Sequence, residues 1–159
     1  MADPEVTNSP VPLPPTAMVR RVLPASPDTA YGEWLDPEAL ADWMCPWPAR
    51  CLAIKLEPWV DGNLRLDIED SGVGFFVVGR FQSLNRPRGL SFTWHCSTWP
   101  EAATESVVTV SLDPEGPGQT LMTIEHTLLP LPQVAQHQQG WAAIAEQLEA
   151  ALKRRSTDS

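Results

Sequence analysis

Histidine and glutamate are the side chains of this chain that could move a proton, and the best placed of them is His126. It follows Met122 and Ile124 at every second position, so its imidazole lies on the apolar face of a predicted strand. An imidazole with an ordinary pKa of about 6.5 can accept or donate a proton, or bind a ligand. Two interpretations stay open: a histidine hydrogen-bonded where strand meets helix, and a catalytic or ligand-binding group.

Glu105 is the second candidate for proton transfer, at the start of a predicted strand. As a charge at a strand end it needs no function, whereas at the rim of a pocket it would be a polar anchor or a catalytic group. Arg80, on a strand expected beside it, is a candidate ion-pair partner.

We expect His137 to pack on the apolar stripe of a helix, with ligand contact as the alternative. His95 alternates with Trp94 and is expected to face outward.

Other familiar catalytic and metal-binding patterns do not occur. The chain has no Gly-x-Ser-x-Gly motif, no glycine-rich phosphate loop and no His, Asp or Glu cluster with metal-ligand spacing. We therefore expect neither a metal nor a cofactor. The three cysteines, Cys45, Cys51 and Cys96, are scattered, and we expect reduced thiols in a reducing compartment.

The elements that must position these groups follow from hydrophobic periodicity and from proline and glycine positions. Residues 1–15 are proline-rich and non-periodic, which predicts a disordered leader. A strand over 18–23 is followed by two short helices that begin at Ser26-Pro27 and Asp36-Pro37. Six strands are predicted over 50–57, 63–69, 73–84, 90–96, 104–112 and 118–126. A long helix follows Pro130-Leu-Pro132 and carries Trp141 on its apolar stripe.

This order predicts one α+β domain over residues 16–155, with a tail over 156–159. Phe75 and Phe81 share a strand face with Gly79, which suggests a bulge or bend that curves the sheet. Phe92 and Trp94 alternate inward on the next strand. Of the seven tryptophans, Trp94 and Trp141 are expected in the core.

Net charge excludes some partners. The formal charge of −9 argues against nucleic acid and against an anionic membrane surface. No apolar run approaches the roughly 20 residues of a membrane span, and the first residues lack a signal-peptide pattern. We therefore expect a cytoplasmic protein, monomeric or homodimeric, with no nucleic-acid or membrane partner.

Several local strings resemble one known group. They are WLDPEALADW (34–43), LSFTW (90–94), ESVVTV (105–110), TIEH (123–126), and His137 followed by Gly140-Trp141 in a leucine-rich helix. Together they span residues 16–153. The chain resembles the START-like, helix-grip superfamily (SRPBCC), and within it the bacterial heat-shock-90-ATPase-activator-like family. It departs from the family pattern in Trp43-Met-Cys-Pro and in the loop Glu57-Pro-Trp-Val-Asp-Gly62.

The resemblance implies an α+β helix-grip fold, in which a curved antiparallel sheet surrounds a long C-terminal helix. Two short helices and an internal cavity complete this fold. Trp43, Trp47 and Trp59 lie in segments that would cover the open end of that cavity, either as buried packing or as a stacking surface for an aromatic ligand. The expected ligand-binding residues are Trp43, Trp47, Trp59, Phe75, Phe81, Phe92, Trp94, His126, His137 and Trp141. The expected catalytic residues are His126 and Glu105.

Three functions remain open from the sequence. The first is a carrier, sequestering or self-resistance protein that binds a hydrophobic or aromatic small molecule. The second is a cofactor-independent enzyme of the polyketide cyclase or dehydratase type, in which the protein orients a reactive substrate and His126 or Glu105 moves a proton. The third is a chaperone regulator, which only the family's name suggests.

Overall fold

The computed structural model describes residues 15–100 and 105–158. The predicted leader therefore lies outside the described residues, apart from Pro15. None of the described helices has the length and apolarity needed to span a bilayer.

Within the described residues, seven strands form one antiparallel sheet. Their spatial order is β1-β7-β6-β5-β4-β3-β2, so every strand pairs with its chain neighbour except β1, which pairs with β7. The strands are β1 (Thr16–Leu23), β2 (Arg50–Leu56), β3 (Asn63–Asp70), β4 (Val73–Asn85), β5 (Gly89–Cys96), β6 (Ser106–Gly116) and β7 (Gln119–Thr127). The predicted curved sheet is confirmed, with each strand within a few residues of its predicted position.

In the part of the chain that the structure describes, three α-helices accompany the sheet: α1 (Pro27–Glu33), α2 (Pro37–Trp43) and α3 (Val134–Asp158), the last after a 3-10 turn at Leu131–Gln133. The short helices begin as predicted, because Ser26 Oγ accepts from the Thr29 amide and Asp36 Oδ1 accepts from the Glu38 amide. Helix α3 continues to Asp158, so residues 156–158, predicted as tail, are helical. Ion pairs of Arg155 with α1 and α2 fix this end.

A buried charge joins the three helices. The Glu33 carboxylate, only 7% exposed, accepts from Trp43 Nε1 at 3.0 Å and from Arg155 Nε at 2.8 Å. Arg155 also donates to Asp42 at 2.9 Å, and the hydrogen bond that it donates to Glu33 raises the pKa of the Arg155 guanidinium. A buried carboxylate is stable only when paired and hydrogen-bonded, so this network fixes the C-terminal half of α3 against α1 and α2.

The bend in β4 depends on Gly79 and on a nearby bulge. A Cβ at Gly79 would lie 1.9 Å from the Thr93 carbonyl oxygen, so only glycine allows β5 to approach so closely. The register shift itself comes two residues later, between Phe81 and Ser83. The sequence thus predicted the curved region correctly, and the bulge lies beside the glycine rather than at it.

The cysteine prediction was wrong for two of the three residues. Cys45 and Cys51 form a disulfide with Cα atoms 5.7 Å apart, while Cys96 is free and buried. The chain turns through Pro46 and Pro48 between the end of α2 and the start of β2, which brings the two cysteines within bonding distance. The expectation of a reducing compartment loses its support from cysteine usage.

We expect the double substitution Cys45→Ser, Cys51→Ser to lower the free energy of unfolding by about 2 kcal/mol, because the bond closes a short loop in the unfolded chain. Chemical denaturation measures this loss. A reducing agent should destabilise the parent protein by a similar amount and leave the double variant unchanged. Equal stability of parent and variant, with and without reductant, would show that the bond does not form in solution.

Candidate functional site

A cavity of about 300 Å³ lies between the first half of α3 and the concave face of β3, β4 and β5. The loop that contains the disulfide closes one side, through Met44, Pro46 and Ala49. The remaining lining residues are Leu66, Ile68, Asp70, Phe75, Val77, Trp94, Cys96, Thr98, Trp99, Gln133, Gln136, His137, Gly140, Trp141 and Ile144. Most of these side chains are apolar or aromatic, which is the usual character of a small-molecule site.

The space exists because α3 packs on one part of the sheet only. The helix contacts mainly β1 and α2, whereas the cavity lies between its N-terminal half and β3 and β4. Gly140 adds to the space, because a Cβ at this position would meet no atom within 4 Å. A small residue on the cavity face of α3 thus keeps volume free that a larger side chain would occupy.

Four aromatic rings form one continuous wall of the cavity: Trp94, Trp99, His137 and Trp141. The Trp94 ring centroid lies 5.4 Å from that of Trp141 and 6.3 Å from that of His137. The rings of Trp99 and His137 are 5.7 Å apart. Their tilted and edge-to-face arrangements are the favourable geometries for aromatic pairs, so the wall is held by its own contacts.

Behind this wall a chain of hydrogen bonds passes through His126, which is completely buried. Trp141 Nε1 donates to His126 Nδ1 at 2.9 Å, so the ring proton must be on Nε2. His126 Nε2 then donates to Ser106 Oγ at 2.7 Å, and Ser106 Oγ donates to the Trp94 carbonyl at 2.7 Å. The chain links α3 to β7, β6 and β5 and satisfies every polar atom along it.

Burial lowers the pKa of His126 to about 3, with a smaller contribution from repulsion by His137. The imidazole is therefore neutral at physiological pH, and both of its nitrogens are engaged within the protein. It does not line the cavity. This geometry favours the hydrogen-bonded interpretation of His126, because neither a lone pair nor a proton is left for a ligand.

Unlike His126, His137 belongs to the cavity lining. Its Nδ1 donates to the Gln133 carbonyl at 2.9 Å, one turn earlier on the helix, and burial lowers the pKa of the imidazole. A neutral imidazole protonated on Nδ1 carries its lone pair on Nε2. Since His137 lines the cavity, its ring can contact a bound molecule.

The structure brings four of the predicted ligand-binding residues into the cavity lining: Phe75, Trp94, His137 and Trp141. Trp43 lies instead in the core, with its indole bound to Glu33. Phe81 and Phe92 pack around a separate void of about 10 Å³. All three side chains are buried, as their periodic positions predicted. Periodicity shows only that a side chain faces inward, so it does not distinguish a core position from a position that lines a cavity.

Trp47 and Trp59 are largely exposed, at 81% and 57%, and neither belongs to the cavity lining. Trp47 follows Pro46, which does line the cavity, but its side chain extends into solvent. Trp59 lies in the turn between β2 and β3. The resemblance implied that their segments lie near the cavity opening. The direction of each side chain depends instead on the local turn that carries it.

Glu105 is exposed and directly precedes β6. The expected ion pair with Arg80 does not form within residues 15–100 and 105–158, because β5 lies between the strands that carry the two side chains. Glu105 is thus not brought to the cavity. Also within those residues, no three His, Cys, Asp or Glu side chains are placed to hold a metal ion.

Several lining residues were not predicted. Gln133 precedes His137 by four positions and Gly140 follows it by three, the spacing of one helix face, and Gln136 lies four positions before Gly140. That spacing was a usable signal, and it was missed because polar residues on a helix are usually assigned to solvent. Trp99 follows the end of β5, where no periodic pattern indicates its direction.

Most of this chain matches a known protein family. Residues 24–153 match the family model described as Activator of Hsp90 ATPase homolog 1-like protein. The chain belongs to this family. No curated protein sequence matches the chain significantly.

Solved structures share the fold of this Hsp90-activator-like domain. A protein from Nitrosomonas europaea is 22% identical, with a TM-score of 0.75, and the match covers 89% of this chain and 96% of that one. A protein from Chromobacterium violaceum is 25% identical, with a TM-score of 0.71 and coverage of 85% and 95%. CalU16 from Micromonospora echinospora is 20% identical, with a TM-score of 0.64 and coverage of 90% and 79%. These likenesses establish the START-like helix-grip architecture.

We expect acid to destabilise the protein through His126. The unfolded imidazole binds a proton below a pH of about 6.5, whereas the folded one does so only near pH 3. Stability is therefore complete above pH 6.5 and falls between 6.5 and 3, by up to about 1.4 kcal/mol per pH unit for this proton. Burial also lowers the pKa of His137, so protonation of this residue in the unfolded chain adds to the loss of stability in acid.

Denaturation at pH 7, 6 and 5 tests this slope, with His126→Gln as the variant that should be less stable overall but less sensitive to pH. Nitrogen NMR of the parent should show the tautomer protonated on Nε2 across this range. A His126 ring that titrates near pH 6 would contradict the buried, neutral assignment.

Proposed function

We propose that this protein binds a hydrophobic, aromatic small molecule in the cavity between α3 and β3–β5. The observation that carries the proposal is the cavity itself, about 300 Å³ with one wall built from aromatic rings. An apolar protein cavity of about 150 Å³ binds benzene, so this one has room for about two fused rings. The volume is at the lower end of typical ligand sites.

The ligand would lie against the aromatic wall and contact Phe75 and Val77 on the opposite side. Membership in a family of helix-grip proteins supports a binding role, although fold alone does not name a ligand. We infer a carrier or sequestering protein rather than an enzyme. Of the two predicted catalytic residues, His126 has both nitrogens engaged and Glu105 lies in solvent.

The remaining sequence predictions stay part of this proposal. They are the absence of a nucleic-acid or membrane partner, a monomer or homodimer, and a cytoplasmic location. The disulfide gives no support to the last of these, because such bonds are rare in reducing compartments. The chaperone-regulator alternative rests on the family description alone.

Gly140 offers a matched pair of variants that tests the cavity. We expect Gly140→Ala to stabilise the protein, by up to about 1 kcal/mol from helix propensity, and to bind ligand nearly as the parent does. Gly140→Phe places a ring in the open space, so it should fold and lose binding. Native mass spectrometry of the purified protein, followed by thermal shifts with a panel of bicyclic aromatic molecules, measures both effects.

The two outcomes that contradict the proposal are distinct. If no aromatic molecule in the panel shifts the melting temperature of the parent or of Gly140→Ala, the cavity is not a site for this class of ligand. If Gly140→Phe binds as tightly as Gly140→Ala, the molecule binds elsewhere on the protein.

A further inference from the structure

Among the described residues that line the cavity, one carries a charge at pH 7: Asp70. It is the last residue of β3, and it follows Leu66 and Ile68 at every second position. Alternate residues of a strand face the same side of a sheet, so the Asp70 carboxylate lies on the concave face with these two apolar side chains. The one other titratable ring in the lining is that of His137, which is neutral because burial lowers its pKa.

Asp70 lies at an end of the cavity that solvent reaches. Strands β3 and β5 run in the same direction with β4 between them, so both strands end at one edge of the sheet. Thr98, which follows β5, is exposed, whereas Leu66, four residues before Asp70, is 1% exposed. The rings of Trp99 and His137, 5.7 Å apart, bring the start of α3 to the same edge. The cavity thus has an apolar interior and a polar end.

No basic side chain neutralises Asp70. All 11 lysines and arginines of the chain lie in its described part, and none of them forms an ion pair with this carboxylate. The contact that Asp70 does make is a hydrogen bond that its Oδ1 accepts from Ser71 Oγ at 3.1 Å. Asp67 and Glu69, on the other face of β3, each pair with an arginine. On this strand, the carboxylate without a counter-ion is the one that faces the cavity.

A ligand that fills the cavity removes water from this carboxylate. Loss of hydration of a charged group costs free energy unless an opposite charge or hydrogen-bond donors replace the water. A ligand without a charge leaves most of that cost in place, and an anionic ligand adds repulsion. A ligand with a protonated amine replaces the water by a charge-assisted hydrogen bond. Trp99 lines the same end, and tryptophan rings attract such cations.

We propose that the cavity takes an aromatic molecule that carries a protonated aliphatic amine, with its rings against the aromatic wall and its ammonium group paired with Asp70. This inference rests on the proposed function and adds the charge and the chemical class of the ligand. It makes Asp70 the residue that selects among aromatic molecules of equal size. The formal charge of −9 attracts ligands of the same sign.

Three naphthalenes of nearly equal size test this selection on the intact protein: 2-(aminomethyl)naphthalene, 2-(hydroxymethyl)naphthalene and 2-naphthoic acid. At pH 7 they are cationic, neutral and anionic. We expect the amine to bind about tenfold more tightly than the alcohol, on the scale of one hydrogen bond between charged groups, and the acid to bind most weakly. Equilibrium dialysis with absorbance detection measures the three dissociation constants.

A matched pair of variants assigns the preference to one carboxylate. Asp70→Asn removes the charge and keeps the shape, so it should reduce the preference for the amine to about twofold or less. Asp67→Asn is the control, because it makes the same change in net charge on the outer face of the same strand. It should keep the tenfold preference. Both side chains are partly exposed, so both variants should fold.

The results separate this inference from the proposed function. Equal binding of the amine and the alcohol by the parent protein, or tighter binding of the acid, would overturn the selection for a cation and leave aromatic binding intact. A tenfold preference that survives in Asp70→Asn, or that is lost in Asp67→Asn as well, would overturn the assignment to Asp70. Failure of all three molecules to bind would contradict the proposed function itself.

Discussion

The hydrogen-bond chain from Trp141 through His126 and Ser106 to the Trp94 carbonyl is the interaction on which the rest of the structure depends. It joins the long helix to three consecutive strands of the sheet, deep in an apolar core. Each atom in the chain donates or accepts in the only way that satisfies its neighbours, and that requirement fixes the tautomer of His126. Low-dielectric surroundings make such a chain strong when complete and costly when broken.

That constraint also explains where the cavity lies. Trp141 is held against His126 and packs on Trp94, so α3 sits close to β5–β7 at this level. Arg155, which donates to the buried Glu33 of α1 and to Asp42 of α2, holds the C-terminal part of the helix to these two short helices. With the helix held at these two points, a gap lies between its N-terminal half and strands β3–β5. The gap remains open because Gly140 presents no side chain to it.

The two neighbouring histidines, His126 and His137, have different roles. His126 and His137 have ring centroids only 5.1 Å apart, yet His126 has both nitrogens bonded within the protein, whereas His137 lines the cavity. Proton transfer by His126 would require breaking the chain that holds the helix. A binding protein has no such need, since it requires a rigid apolar wall and a few polar groups that orient the ligand.

The sequence by itself determined the elements and their order. Alternating residues set the strands, Ser26-Pro27 and Asp36-Pro37 set the starts of the short helices, and the stripe through Trp141 set the long helix. It also indicated that His126 faces inward, because period two fixes the face of a strand. These are local properties, decided by backbone sterics and by the need to bury apolar surface.

Tertiary structure alone decided which of these residues meet. Trp47 and Trp59 resemble Trp94 and Trp141 as residue types, but turn geometry leaves the first two in solvent. The disulfide between Cys45 and Cys51 and the aromatic wall of the cavity likewise depend on distances between atoms from different elements. Such distances follow from how the curved sheet and the long helix pack in three dimensions. The hydrophobic periodicity of the sequence does not encode them.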